Sequence, residues 1–225
     1  MRILLVAFCS FAAVASVIAQ DQTTRSAAAD NGLSGQDSVS RILSPSFSPW
    51  KGTIGDGFRR NIFETDASLG AGFGMKVLES SQAHDLALAR VNFGWIFTDV
   101  VADQHWYRGN WELLAEVFAG AQYRPDIDYV VGIGPVLRYN FATGSRWVPF
   151  IDGSTGVSAT SIRAGDLSTT FEFNLQAGAG THYFFRENLA ATLQYRFLHL
   201  SNANLKTPNR GVNDSVIYIG LSWFY

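Results

Sequence analysis

The sequence predicts an all-β protein, an eight-stranded antiparallel transmembrane β-barrel of the outer membrane. Three observations carry that prediction. From Phe63 onward apolar and polar residues alternate with period two, the signature of strands with two different faces. Charged residues make up 16% of the chain, against about 25% in ordinary soluble domains, so much of the surface need not face water. The last row of alternating residues, Ile217, Ile219, Leu221, Trp223 and Tyr225, is apolar and ends on an aromatic side chain.

Taken in order, the chain opens with Arg2, an apolar run from Ile3 to Val14, and small residues up to Ala19. This reads as a secretory signal over residues 1–19. The bulky Phe8 before Cys9 argues against a lipoprotein signal, and cleavage removes the single cysteine, leaving no disulfide or thiol chemistry. Residues 20–60, rich in Ser, Ala, Gly and Asp, read as an N-terminal periplasmic extension with some order around Phe47, Trp50 and Phe58. The barrel is expected over residues 61–225. No other stretch approaches the roughly 18 apolar residues of a membrane-spanning helix, so a membrane reading requires a closed barrel that satisfies its own backbone.

The first strand, Phe63 to Val77, puts Phe63, Ala67, Leu69, Ala71, Phe73 and Met75 on one parity and Glu64, Asp66, Ser68, Gly70 and Gly72 on the other. A second aligns Ala87, Ala89, Val91, Phe93, Trp95 and Phe97 against Arg90, Asn92 and Gly94; a third, near Trp111 to Tyr123, sets Leu113, Ala115 and Val117 against Glu112 and Glu116. The remaining five are expected near residues 128–141, 147–159, 171–185, 189–201 and 215–225. A soluble carrier of lipocalin type would hide its apolar row and expose its charges. Here charged residues share strands with unbroken apolar rows, which fits lipid outside and a paired-charge lumen of Glu64, Asp66, Glu112, Glu116, Arg90, Arg138 and Arg196. Trp50, Trp95, Trp106, Trp111, Trp147 and Trp223 are expected in interfacial girdles. A periplasmic β-sandwich is the soluble alternative.

Even strand number puts both termini in the periplasm, so the link from Asn202 to Asn213 faces the cell exterior. Beside it His199 and Ser201 lie two apart on one strand. They therefore project from the same lipid-facing side, with an imidazole in reach of a hydroxyl: the elements of a nucleophile and its general base. On spacing alone a His-x-Ser near a strand end is more often just an interfacial polar pair.

The surrounding residues narrow the choice. The stretch RFLHLSNANLKTPNRGVN, residues 196–213, resembles the active-site region of the lipid A 3-O-deacylase (PagL) family of outer-membrane esterases. The match rests on His199, Ser201-Asn202-Ala203, Pro208-Asn209 and Gly211. The resemblance implies hydrolysis of the 3-O-linked acyl chain of lipid A, within lipopolysaccharide of the Gram-negative outer leaflet, on the outside wall of the barrel. Ser201 would attack the acyl carbonyl, His199 would act as general base and then acid, and Asn202 and Asn209 would stabilise the oxyanion. No cofactor is implied.

The third member departs from the family, whose Glu falls here on Asn213, with Asp214 beside it. Parity counted back from Tyr225 puts Asn213 outward with His199, while a bulge would turn Asp214 outward instead. An Asn that presents its NH₂ group would favour the wrong histidine tautomer. His84, His105 and His182 lack metal-ligand spacing. There is no nucleotide or EF-hand motif, and a net charge of −2 gives no basic surface for nucleic acid. Lys206, Arg210 and Arg163 fall in external loops, where lipid A phosphates would lie. The competing reading is a noncatalytic structural, adhesin-like or lipid-binding barrel, and the sequence leaves a homodimer open.

Overall fold

The structure, a computed structural model, describes residues 48–225 of the 225-residue chain. The expected signal at 1–19 and residues 20–47 of the extension lie outside the described residues. Eight strands follow in order: β1 (Phe63–Gly74), β2 (Asp85–Ile96), β3 (Gly109–Arg124), β4 (Asp128–Phe141), β5 (Trp147–Thr160), β6 (Phe171–Phe184), β7 (Leu189–Ser201) and β8 (Val212–Phe224). Each pairs antiparallel with the next, and β1 closes on β8 to make a complete barrel. Closure leaves no strand edge unpaired, the condition for sheet structure in lipid.

Period-two alternation decides the two faces. On β1, Phe63, Leu69 and Phe73 are exposed while Glu64, Asp66 and Ser68 are buried; on β8, Ile217, Ile219, Leu221 and Trp223 are exposed while Val216, Tyr218 and Ser222 are buried. Apolar rows of this kind run right round the outside, as a barrel in lipid requires.

The lumen is filled. Arg196 reaches Glu116 at 2.6 Å and grips Asp152 through both Nη2 and Nε, at 2.8 and 3.2 Å. Arg138 bonds Glu64 at 2.8 Å and lies over the Phe150 ring, and Arg90 lies over Tyr218 while bonding the side-chain oxygen of Gln194. Asp152, which the alternation alone did not single out, is the hub joining Arg138, Arg196 and Gln194. Gly70 is one place where the lumen admits no side chain, because a Cβ there would lie 2.6 Å from the Tyr218 ring.

Two expectations change. Trp50 belongs to no lipid-facing girdle: it is 1% exposed, stacks on Phe58 at 4.4 Å, and packs edge-on against Phe184. Phe58 stacks in turn on Phe224, so residues 48–62 pack against one mouth of the barrel, with the order around Trp50 and Phe58 that their apolar character suggests. The physical reason is that the rings of Phe184 and Phe224 would otherwise meet water, and Trp50 and Phe58 cover them while the indole N–H donates to the Glu187 carbonyl. The first strand also ends early, at Gly74 rather than Val77. Met75 donates its N–H to the Asn213 carbonyl and the chain then turns away through Leu78 and Glu79 at positive φ.

In even-stranded outer-membrane barrels both termini lie on the periplasmic side. The Trp50–Phe58 plug therefore marks that side, and the loops at 75–84, 125–127, 161–170 and 202–211 mark the external side.

Candidate active site

The β7–β8 hairpin register sets Asn213 directly opposite His199. Ser201 follows two residues after His199 on the same face, so three polar side chains meet on an otherwise apolar wall at its outer rim. His199 Nε2 lies 3.0 Å from Ser201 Oγ, and His199 Nδ1 lies 2.7 Å from Asn213 Oδ1. His199 and Ser201 are half-buried and Asn213 is buried. Asp214 is elsewhere: it faces the lumen, is buried, and neither carboxylate oxygen has a hydrogen-bond partner among the described residues. Of the two candidates for the third position, the structure brings Asn213 to the histidine.

The Asn213 amide has a fixed sense. Its Nδ2 donates to the Val77 carbonyl at 2.8 Å and to Ser80 Oγ at 2.6 Å, and Ser80 Oγ passes its own hydrogen to the Gly211 carbonyl at 2.6 Å. With the NH₂ group committed to those acceptors, Oδ1 is left for His199. A ring that donates from Nδ1 keeps a lone pair on Nε2, the atom facing Ser201. The geometry is that of a hydroxyl, a base and a neutral orienting group in line.

Asn202 and Asn209 tie down the 202–211 loop. The Asn202 N–H donates to Asn209 Oδ1 at 2.8 Å, and Asn202 Nδ2 bonds the Lys206 carbonyl at 3.0 Å and the hydroxyls of Ser168 and Thr169 at 3.3 and 3.2 Å. Asn209 Nδ2 donates to the Asn204 side-chain oxygen at 3.1 Å, in an exposed position. Neither amide is bonded to Ser201 or His199. Of the three cations the sequence offers for lipid A phosphates, Lys206 and Arg210 are exposed, whereas the Arg163 guanidinium is engaged by the carbonyls of Thr160 and Ile162 and the Thr170 hydroxyl.

Beside His199 an apolar hollow of about 250 Å³ opens on the outer wall, bounded by Leu78, Leu175, Ala177 and Phe197. A second, of about 370 Å³, continues it past Gly153 to Pro135 and Leu137, the two sharing Ser154 and Gln176. The two hollows lie side by side on the outer wall, the smaller one against His199.

Motif reading left out the supports of this site. Asp166, from the 161–170 loop, accepts from the N–H and hydroxyl of Ser81, from the N–H of Gln82 and from His84 Nε2 at 3.0 Å, while its carbonyl takes the N–H of Arg210. Burial works to raise the Asp166 carboxyl, but the hydrogen bonds from Ser81, His84 and Gln82 outweigh it and hold the group below the usual carboxylate range. No sequence pattern marks these partners, since they come from three loops. Among the described residues no cluster of His, Cys, Asp or Glu is placed to hold a metal ion.

Residues 87–222 match the family model described as lipid A 3-O-deacylase (PagL). Over 91 residues the chain is 34% identical to the lipid A deacylase PagL of Pseudomonas aeruginosa, covering 39% of this chain and 50% of that protein, so the alignment spans half the relative's length. Among solved structures it is similar to the outer membrane enzyme PagL, with a TM-score of 0.54 at 23% identity over 69% of this chain and 97% of that one. It is equally similar to Neisserial surface protein A, with a TM-score of 0.55 at 16% identity over 72% and 96% of the two chains. These structural likenesses establish an outer-membrane barrel fold; the family model is what separates the two neighbours.

Proposed function

The chain belongs to the lipid A 3-O-deacylase (PagL) family, and from that premise we propose that it hydrolyses the ester joining an acyl chain to the 3-position of lipid A in the outer leaflet. The observation that carries the proposal is the line Ser201 Oγ, His199 Nε2, His199 Nδ1, Asn213 Oδ1, with contacts of 3.0 and 2.7 Å on the lipid-facing wall. Ser201 Oγ attacks the acyl carbonyl carbon while His199 Nε2 takes its proton. The tetrahedral intermediate collapses with expulsion of the sugar 3-oxygen, which receives that proton from His199. Water, deprotonated by His199, then cleaves the acyl-serine, releasing the fatty acid and restoring the hydroxyl.

The other residues support the same reading. Asn209 Nδ2, whose bond to Asn204 is exposed, is the donor for a developing oxyanion, while Asn209 Oδ1 accepts the Asn202 N–H and keeps the loop in place. Such a donor typically contributes about 10²–10³ in turnover. The apolar hollow beside His199 suits a fatty acyl chain lying against the wall, and the exposed Lys206 and Arg210 of the 202–211 loop suit the phosphates. A noncatalytic barrel would follow from a histidine left without an orienting partner; the Asn213 contact weighs against that.

Mass spectrometry of lipid A from outer membranes containing the wild type or Ser201→Ala, each checked for a folded, heat-modifiable barrel, tests the proposal. The expected result is loss of one 3-hydroxyacyl mass with the wild type only. Identical lipid A from both folded proteins would refute it.

A further inference from the structure

We infer that Ser80 is a positioning residue for this reaction: with the Val77 carbonyl, it holds the Asn213 amide in the one orientation that leaves His199 able to act as a base. The inference rests on the esterase reading above and concerns how that site works with a neutral third member.

A carboxylate in the third position presents an acceptor whichever way it turns. An amide presents an acceptor at one end and a donor at the other, and the two orientations are almost the same shape. With Oδ1 toward His199, the ring carries its proton on Nδ1 and Nε2 faces Ser201 with a lone pair. With the NH₂ group toward His199, the proton moves to Nε2 and the ring can no longer accept from the serine. That wrong tautomer cost about 10⁴ in turnover in a serine protease whose Asp was made Asn. An enzyme with Asn here therefore requires a device that chooses the orientation.

The 75–84 loop supplies one. The Val77 carbonyl is an acceptor only, 2.8 Å from Asn213 Nδ2. Ser80 Oγ, 2.6 Å from the same nitrogen, commits its only hydrogen to the Gly211 carbonyl at 2.6 Å, so toward Asn213 it too can only accept. Two acceptors receive the two amide hydrogens, and a flipped amide would set Oδ1 against both. Ser80 is 8% exposed, so water does not readily replace either bond.

The backbone delivering these two groups is itself unusual. Val77 to Ser80 form a turn closed by the Ser80 N–H on the Val77 carbonyl, with Leu78 at φ 50° and Glu79 at φ 77°. Side-chain-bearing residues seldom adopt the left-handed region, and two in succession are held there only by their surroundings. The turn aims a carbonyl and a hydroxyl at one nitrogen, and its exposed Leu78 also borders the hollow beside His199. The same arrangement disfavours a carboxylate at position 213, whose second oxygen would face the Val77 carbonyl.

The test uses the full-length protein folded in detergent micelles, with purified lipid A as substrate and barrel folding checked by heat-modifiable migration. For Ser80→Ala, loss of one net hydrogen bond predicts kcat lower by roughly 3–10-fold with KM unchanged. In an Asn213→Ala background the same change should cost nothing further, because there is no amide left to orient. Imidazole nitrogen NMR of histidine-labelled protein should place the His199 proton on Nδ1 in the wild type and show Nε2-protonated ring in Ser80→Ala. Asn213→Asp should turn over more slowly than the wild type. Unchanged kcat in Ser80→Ala, an equal loss in both backgrounds, or an unaltered tautomer would overturn the inference while leaving the esterase reading intact. If Ser80→Ala does not fold, wild-type or faster turnover by Asn213→Asp overturns it instead. Failure of the esterase reading is distinct: it would appear as undiminished deacylation by Ser201→Ala.

Discussion

How closely the external loop approaches His199 is set by a single residue. Gly211 has φ +79°, and a Cβ built on it would lie 2.7 Å from His199 Cε1. Its carbonyl is also the acceptor for Ser80 Oγ. The smallest possible side chain would therefore strain the loop backbone and push the imidazole from its line between Ser201 and Asn213. Displacing a reacting group by about 1 Å can cost on the order of 10²-fold in rate. Gly211→Ala should accordingly keep a folded barrel and lose most of its turnover, measured as kcat on lipid A in micelles. Wild-type kcat in a folded Gly211→Ala protein would mean that the ring has more room than the geometry allows. His199 and Ser201 tolerate a lipid-facing position because each makes its polar contacts within the trio, so no bare donor is offered to hydrocarbon.

At the scale of elements, strands place His199, Ser201 and Asn213 and loops hold them still. Three external loops converge on the Asp166 carboxylate and main chain: 75–84 through Ser81 and Gln82, 161–170 from within, and 202–211 through the Arg210 N–H. His84 joins this clasp to β3, its Nδ1 lying 2.7 Å from Gln122 Oε1. Since Asp166 in the folded state titrates below its ordinary value of 3.8, its ionised form stabilises the loops. That contribution is complete above the ordinary value and disappears as pH falls through the lower folded one. Asp166→Asn should therefore release the loops at neutral pH, seen as faster hydrogen exchange at Ser81, Gln82 and Arg210 and reduced turnover, with the barrel midpoint little changed. Exchange at wild-type rates would show that the carboxylate does not hold the clasp. This division also explains what was legible in the sequence. His199, Ser201 and Asn213 could be put on one face because strand parity and hairpin register are periodic, and Asp214 could be put in the lumen for the same reason. Ser80, the Val77 carbonyl, Asp166 and His84 could not, because contacts between loops have no period and a backbone acceptor has no residue type to betray it. Trp50 looked like a girdle residue because its chemistry suits an interface as well as a plug.

For the whole molecule, a solid lumen dictates where chemistry can occur. Substrate cannot pass through a barrel whose interior is occupied by Arg90, Arg138 and Arg196 among Glu64, Asp66, Glu112, Glu116 and Asp152, so an esterase built on it must work on the outer wall and receive its lipid sideways. The same network is the chief polar constraint on stability. Arg138 is fully buried, bonds Glu64 at 2.8 Å, approaches Asp152 at 3.4 Å, and lies 4.3 Å from the Phe150 ring centroid. Removing it leaves buried carboxylates with no cation beside Glu64 and Glu112, and breaking such a pair from one side costs about 3–5 kcal/mol. Replacing a cation and its carboxylate together by apolar residues of similar volume costs far less, because nothing charged is stranded. Arg138→Met should thus lower the unfolding midpoint in urea, followed by tryptophan fluorescence in lipid vesicles. Arg138→Met combined with Glu64→Leu should recover part of the loss. Arg138 lies in the periplasmic half of β4, away from the 202–211 loop, so turnover per folded molecule should stay near wild type in both. An Arg138→Met barrel as stable as the wild type would show that the lumen acids need no cation, and that packing alone holds the interior together.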